Sequence, residues 1–198
     1  MASTTDPAGS RSIEDLTTAV FGRRMSLDAV LTTLDTVELV ADDEGAGDEV
    51  AWVGSIGYER FSSNTDFAQA LALARVDVLI DVRDLPISRK RGFAKTALSE
   101  AVNAVGIEYQ HWKPLGNPKE IRDLYKSGQV EEGRKLYEQH LANRAPDLER
   151  LDRIIGEGTR VALMCVEHDE DVCHRHSILG ALSHARSGQL HVAQVSQP

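Results

Sequence analysis

The chain has 198 residues, 41% of them apolar and 27% charged, with only two cysteines, a balance that excludes a disulfide-built secreted scaffold and allows one domain with a real core plus an appendage. No apolar run approaches the roughly 20 residues of a membrane span, and the start "MASTTDPAGSRSIEDL" has neither the basic opening nor the apolar stretch of an export signal, so a cytoplasmic location is expected. The net charge of −9 is uneven: residues 1–50 hold 11 acidic and 3 basic side chains and residues 51–198 hold 20 and 19, a nearly neutral body that excludes broad non-specific nucleic-acid binding but not a phosphate-bearing ligand.

Residues 1–49 are expected to be an addition to the main domain. A small, polar tail is followed by "SIEDLTTAVF" (12–21) and "SLDAVLTTL" (26–34), each with a serine cap, an early acidic residue and helically spaced apolar positions. The acidic "ADDEGAGDE" (41–49) reads as a linker.

From residue 50 the pattern changes. "VAWVGSIG" (50–57), "VDVLIDVR" (76–83), "IEYQHW" (107–112), "TRVALMCV" (159–166) and "LHVAQV" (190–195) read as strands. Between them "NTDFAQALALARV" (64–76), with an asparagine or threonine cap, and "TALSEAVNAVG" (96–106) read as helices, as do 118–128, 130–143, 146–156 and 173–188. Alternating strands and helices predict an α/β domain over residues 50–198, a three-layer, mostly parallel sheet with helices on both faces.

In such sheets ligands bind beyond the carboxyl ends of the strands. The first strand delivers Ser55, Gly57, Tyr58 and Glu59 there; the second delivers Asp81, Arg83 and Asp84; the third delivers His111, Trp112 and Lys113 with "LGNP"; the fourth delivers Cys165 and Glu167. Asp81 is equally well read as a structural carboxylate at a buried strand end. Arg83 has the planar guanidinium suited to bidentate capture of phosphate or carboxylate. The basic run "SRKRGFAK" (88–95) is either solvated surface or an aid to anion recruitment.

The densest chemistry is "LMCVEHDEDVCHRH" (163–176), with both cysteines and three of the seven histidines. Seven residues separate the thiols, unlike the C-x2–4-C spacing of structural zinc sites. Cys165, Cys173 and a histidine would hold a metal only if the loop folds back, so no metal and no cofactor is assigned. A Cys165–Cys173 disulfide in a cytosolic protein would be catalytic or regulatory. Buried filler is a third account, which suits Cys165 after "VALM". In the fourth, Cys173 is a reactive thiol at a helix start, its thiolate favoured by the dipole, Arg175 and protonated His174. That helix start would equally suit an anion held by His174 and Arg175.

The blocks "SIGYER", "DVRDLPISR", "LG" near 115 and "LMCVEHDEDVCHR", in this order, resemble domain-of-unknown-function family 488 over about residues 52–186. The resemblance implies a compact α/β domain with a polar cleft and site positions at Tyr58, Asp81, Arg83, Cys165, Glu167, Cys173, His174 and Arg175. Tyr58 stands where many members have histidine, so no histidine base is available at that position. "LIDVRD" and "VALMC" are also similar to rhodanese-like domains, but the loop after Cys165 is not the short glycine- and arginine-bearing loop that cradles a persulfide.

The expectation is a cytoplasmic enzyme or binding protein with an Arg/Cys/His anion-binding cleft for a phosphate-bearing nucleotide or nucleic-acid component. Tyr58, Asp81, Arg83 and Arg175 would hold substrate. Cys173, with Cys165, would supply the reactive thiol, and Glu167 or His174 would carry the proton. The alternatives are a non-catalytic nucleotide- or nucleic-acid-binding module, rhodanese-like sulfur transfer, and redox sensing through Cys165 and Cys173 coupled to the arm at residues 11–35.

Overall fold

The computed structural model describes residues 50–196; the tail, helical arm and linker expected over residues 1–49 lie outside the described residues. Strands β1 (Ala51–Gly57), β2 (Val78–Asp81) and β4 (Val161–Cys165) are buried throughout except for the first two residues of β1. A strand is apolar on both faces only where both are covered, the condition of a parallel sheet built from βαβ units. The half-polar β3 (Glu108–His111) and β5 (Leu190–Gln194) take the edges of the order β3-β2-β4-β1-β5. Every pairing is parallel. Gly57 pairs with Cys165, and Asp81 with both Met164 and His111, so four strands finish nearly level at one edge.

Six helices fill the two outer layers of the described residues. On one face α1 (Asn64–Leu73) and α2 (Lys95–Asn103) bury Phe67, Leu71, Leu98 and Val102 against Ile56, Leu79 and Met164. After β3 come α3 (Lys119–Lys126), α4 (Val130–Ala142) and α5 (Ala145–Gly156), and after β4 comes α6 (Arg175–Ala185). The last three bury Tyr137, Leu151, Ile155, Ile178 and Leu182 against Val53, Ile80, Val161 and Leu163. Each such side chain contributes about 1.5–3 kcal/mol on burial, which sets the hydrophobic scale of both layers. No helix of the described residues is long and apolar enough to cross a membrane.

The three-layer α/β architecture matches the sequence pattern, with two local differences. The cap of α1 is Ser63, ahead of both the expected Asn64 and the expected Thr65; its hydroxyl accepts the N–H of Asp66 at 3.1 Å. Helix α6 starts at Arg175 with His174 as its cap, two residues later than the expected start at Cys173. Cys173 belongs to a preceding turn, its N–H bonded to the carbonyl of Glu170 and its carbonyl accepting the N–H of His176.

The topology then places the site. β2 leads into α2 on one face, while its neighbour β4 leads into α6 on the other. Where adjacent strands send their continuations to opposite faces, a crevice opens beyond their carboxyl ends.

Candidate functional site

That crevice holds about 320 Å³. One wall follows β2, from Arg83 to Ile87; another follows β4, with Cys165, Glu167, Cys173 and His174; α3 supplies the third, with Arg122, Tyr125 and Lys126. A roomier depression of about 570 Å³ lies near the start of β1 and beside Arg160 and Arg186, without a cysteine or histidine in its lining. The reactive groups are therefore in the smaller cavity.

Gly57 lets this edge close up. A Cβ there would come within 1.7 Å of the Glu167 carbonyl oxygen, so only glycine allows the loop after β4 to lie directly on the end of β1. Above that contact Arg175, completely buried, extends Nη1 to Ser55 Oγ (3.0 Å), Nη2 to the Glu167 carbonyl and Nε to Cys173 Sγ (3.4 Å). Its three nitrogens tie β1, the loop and the thiol together.

His174 is held between strand and sulfur. Its Nε2 is 2.8 Å from the Val82 carbonyl oxygen. A carbonyl only accepts, which assigns the ring proton to Nε2 and leaves the Nδ1 lone pair on the other side in the neutral ring. Nδ1 lies 3.6 Å from Cys173 Sγ and 3.8 Å from Cys165 Sγ. The Tyr137 ring packs edge-on against the imidazole at 5.0 Å and fixes its plane. Cys165 donates to Glu167 Oε2 at 3.1 Å.

The two buried thiols, neither in a disulfide, are electrostatically unequal. Burial pushes the Cys173 thiol up, but its hydrogen bond with Cys165 and the neighbouring His174 ring and Arg175 guanidinium outweigh it and hold this thiol well below its usual range. Cys165 lies well above, because of its hydrogen bond with Cys173, its burial, and the negative charges of Cys173 and Glu167. These surroundings favour the thiolate form at Cys173 over Cys165. Burial and the Cys173 charge also raise Glu167. Two sulfurs and Nδ1 lie within 4.8 Å of one another, and among the described residues Cys165, Cys173 and His174 form a group able to hold a metal ion.

Tyr58, Asp81 and Arg83 form a separate network on the α1/α2 side. Asp81 is fully buried and accepts four hydrogen bonds: from Arg83 N (3.0 Å), Nε (2.8 Å) and Nη2 (2.6 Å), and from the Tyr109 hydroxyl (2.6 Å). Arg83 Nη1 donates to the Phe93 carbonyl at 2.9 Å, with the Tyr58 hydroxyl 3.5 Å away. Burial opposes the charge on Arg83, but Asp81 more than restores it and raises its pKa. Tyr58 stacks on Phe93, centroids 4.6 Å apart. Arg83, expected at the crevice edge as an anion-catching group, lines the crevice but spends its guanidinium chiefly on Asp81. In the basic run, Lys90 is tied to the carbonyls of Tyr58 and Glu59.

The fold adds residues to which the sequence assigned no role, Asn117 of the "LGNP" stretch and the residues of α3. Asn117 is 5% exposed and lines the crevice, yet its Oδ1 has no hydrogen-bond partner, and neither has the buried Tyr125 hydroxyl. Unpaired buried polar atoms cost free energy, so their presence at a cavity points to a ligand. Burial and the nearby Cys173 charge push Tyr125 up to about 12, which keeps it a neutral donor. Gly116 makes the Asn117 position possible: a Cβ there would meet the Asp84 backbone at 2.5 Å. Arg122 and Lys126 supply positive charge at the wall, Arg122 only 3.8 Å from Asp84 Oδ2. The signal for Asn117 lay in "LGNP"; α3 itself buries no residue and gave none.

The family model described as "Domain of unknown function DUF488" matches residues 63–182, well over half of the chain. No curated protein and no solved structure matches.

Proposed function

The chain belongs to the DUF488 family, and on the geometry of its crevice we propose that it is a cytoplasmic enzyme acting on a small phosphate-bearing molecule, a nucleotide or nucleic-acid component, with Cys173 as reactive thiol. The observation that carries this reading is the convergence of two sulfurs and the Nδ1 of His174 on a crevice whose Asn117 and Tyr125 have polar atoms without partners. A packing role for the cysteines accounts for neither the anchored imidazole nor the unpaired groups. A reducing cytoplasm would keep both thiols free.

In this reading the phosphate lies against Arg122 and Lys126, while Asn117 and Tyr125 fix the rest of the ligand. Arg83 and Arg175 act indirectly, Arg83 by shaping the β2 end with Asp81 and Tyr58, Arg175 by holding Cys173 in place. Sulfur attacks an electrophilic centre of the ligand: any proton on Cys173 passes to His174 Nδ1, and the sulfur electron pair forms the new bond as the bond to the leaving group breaks with its electron pair. Water then displaces the product from sulfur. Glu167, beside Cys165 at 3.1 Å, is the carboxyl within reach to protonate the leaving group.

A thermal-shift screen of phosphorylated metabolites and nucleotides, followed by mass spectrometry of each stabilising compound after incubation, tests it. Wild type should convert at least one of them, Cys173→Ser should bind it without converting it, and Arg122→Ala should bind it weakly. Conversion by Cys173→Ser at the wild-type rate would remove the thiol from the mechanism. Binding with no conversion in any form would make the protein a binding module.

A further inference from the structure

The sulfur–imidazole cluster has a geometry that proton sharing alone does not explain. Neutral His174 has one lone pair on Nδ1 and can accept one S–H at a time, yet both sulfurs sit at almost the same distance from it, 3.6 and 3.8 Å. We propose that Cys165, Cys173 and His174 bind a zinc ion, two sulfurs and one nitrogen, with the fourth position facing the crevice beside Glu167.

Distances fit first. Tetrahedral zinc with bonds of about 2.3 Å to sulfur and about 2.0–2.1 Å to nitrogen sets each S···N separation near 3.6 Å, and the third separation also falls under the 4.8 Å ceiling of the set. The support around the cluster fits next. A metal-binding imidazole characteristically donates its other N–H to a carboxylate or backbone carbonyl, as Nε2 does to Val82. Arg175 donates to Cys173 Sγ, the bond that steadies a metal-bound thiolate. The ligands come from the end of a central strand and from the turn and cap that open α6, so packed elements hold them.

Ligand count and softness decide the type of site. Structural zinc sites close with four protein ligands, whereas sites that bind a reacting molecule use three and leave one position open. Here all three ligand residues line the crevice, which provides the way in for the ion and for a fourth ligand. Thiolates with an imidazole select zinc over magnesium or calcium. Coordination releases whatever protons remain on the sulfurs and changes no oxidation state. In the sequence this site depended on the loop folding back, because seven residues separate the thiols; in the structure the two sulfurs and Nδ1 do come together.

The inference rests on the reading that this cluster is the reactive centre and replaces its proton transfer: with zinc bound, the Nδ1 lone pair of His174 goes to the metal and Cys173 reacts as a metal-bound thiolate. The two readings fail separately. Full-length protein, kept reduced with a phosphine and stripped with a chelator, is titrated with cobalt(II) and then with zinc. The expected result is one ion per chain, with the intense ligand-field bands of tetrahedral cobalt and a sulfur-to-cobalt charge-transfer band, both erased by equimolar zinc. Cys173→Ser and His174→Gln should weaken zinc by more than about a hundredfold, beyond the 10–100-fold typical of changes to supporting residues. If these variants do not fold, X-ray absorption at the zinc edge of wild type should show two sulfurs and one imidazole nitrogen. A pale octahedral cobalt spectrum, a zinc shell without sulfur, or unchanged affinity in a folded Cys173→Ser would overturn the proposal. Absence of zinc binding in a protein whose conversion of a ligand still depends on Cys173 removes the metal alone. Zinc bound at the cluster of a protein that converts nothing upholds the metal and removes the enzyme.

Discussion

Arg83→Ala separates a structural guanidinium from a ligand-binding one. The substitution leaves the Asp81 carboxylate wholly buried with two of its four donors, the backbone N–H of residue 83 at 3.0 Å and the Tyr109 hydroxyl at 2.6 Å. It removes the Nε and Nη2 bonds and strips the Phe93 carbonyl of its donor. Breaking a buried pair by deleting one partner costs about 3–5 kcal/mol, and the two retained donors place this case near the lower end, about 3 kcal/mol. For a chain of this size that corresponds to a fall in melting temperature of roughly 6–12 °C. Equilibrium urea unfolding of Arg83→Ala, Asp81→Ala and the double variant completes a cycle, in which the pair should couple by more than about 1 kcal/mol. Ligands of the crevice should still bind the folded fraction. A variant within about 0.5 kcal/mol of wild type that has lost ligand binding would refute the reasoning and make Arg83 a binding group.

Three further outcomes follow from the same edge of the sheet. Gly57→Ala should destabilise by at least about 1–3 kcal/mol, the usual cost of overpacking, because its methyl would collide with the Glu167 backbone; calorimetry checks this, and an unchanged melting temperature would mean that the loop after β4 shifts freely. Ser55→Ala removes an acceptor of the buried Arg175 and should cost about 1–3 kcal/mol in denaturant unfolding, unless another acceptor takes its place. Asn117→Ala removes a buried oxygen that has no partner, so the ligand-free protein should lose little stability, while a crevice ligand found by thermal shift should bind more weakly. Lost stability with unchanged binding would give Asn117 a purely structural role.

The sequence by itself determined the α/β layering. Continuous apolar runs at β1, β2 and β4 require a sheet covered on both faces, and helically spaced apolar residues between the runs supply the covers. It also determined that Cys165, Glu167, Cys173, His174 and Arg175 stand close together, since they follow one strand within eleven residues. Strand order was beyond it, because pairing joins segments distant along the chain: β4 inserts between β1 and β2, and that insertion opens the crevice. Which groups face each other was likewise decided only in three dimensions. Arg83 and Arg175 look alike as cleft cations in one dimension, but burial beside Asp81 and beside Ser55 and Cys173 commits their donors inside the protein. Asn117 and Tyr125 enter the site because the chain after β3 passes over the end of β2, where Gly116 packs against Asp84. The Nδ1 of His174 meets both sulfurs because Val82, ninety-two residues earlier, takes the other ring nitrogen. Local periodicity records which face of an element is buried; it carries no record of the partner that covers it.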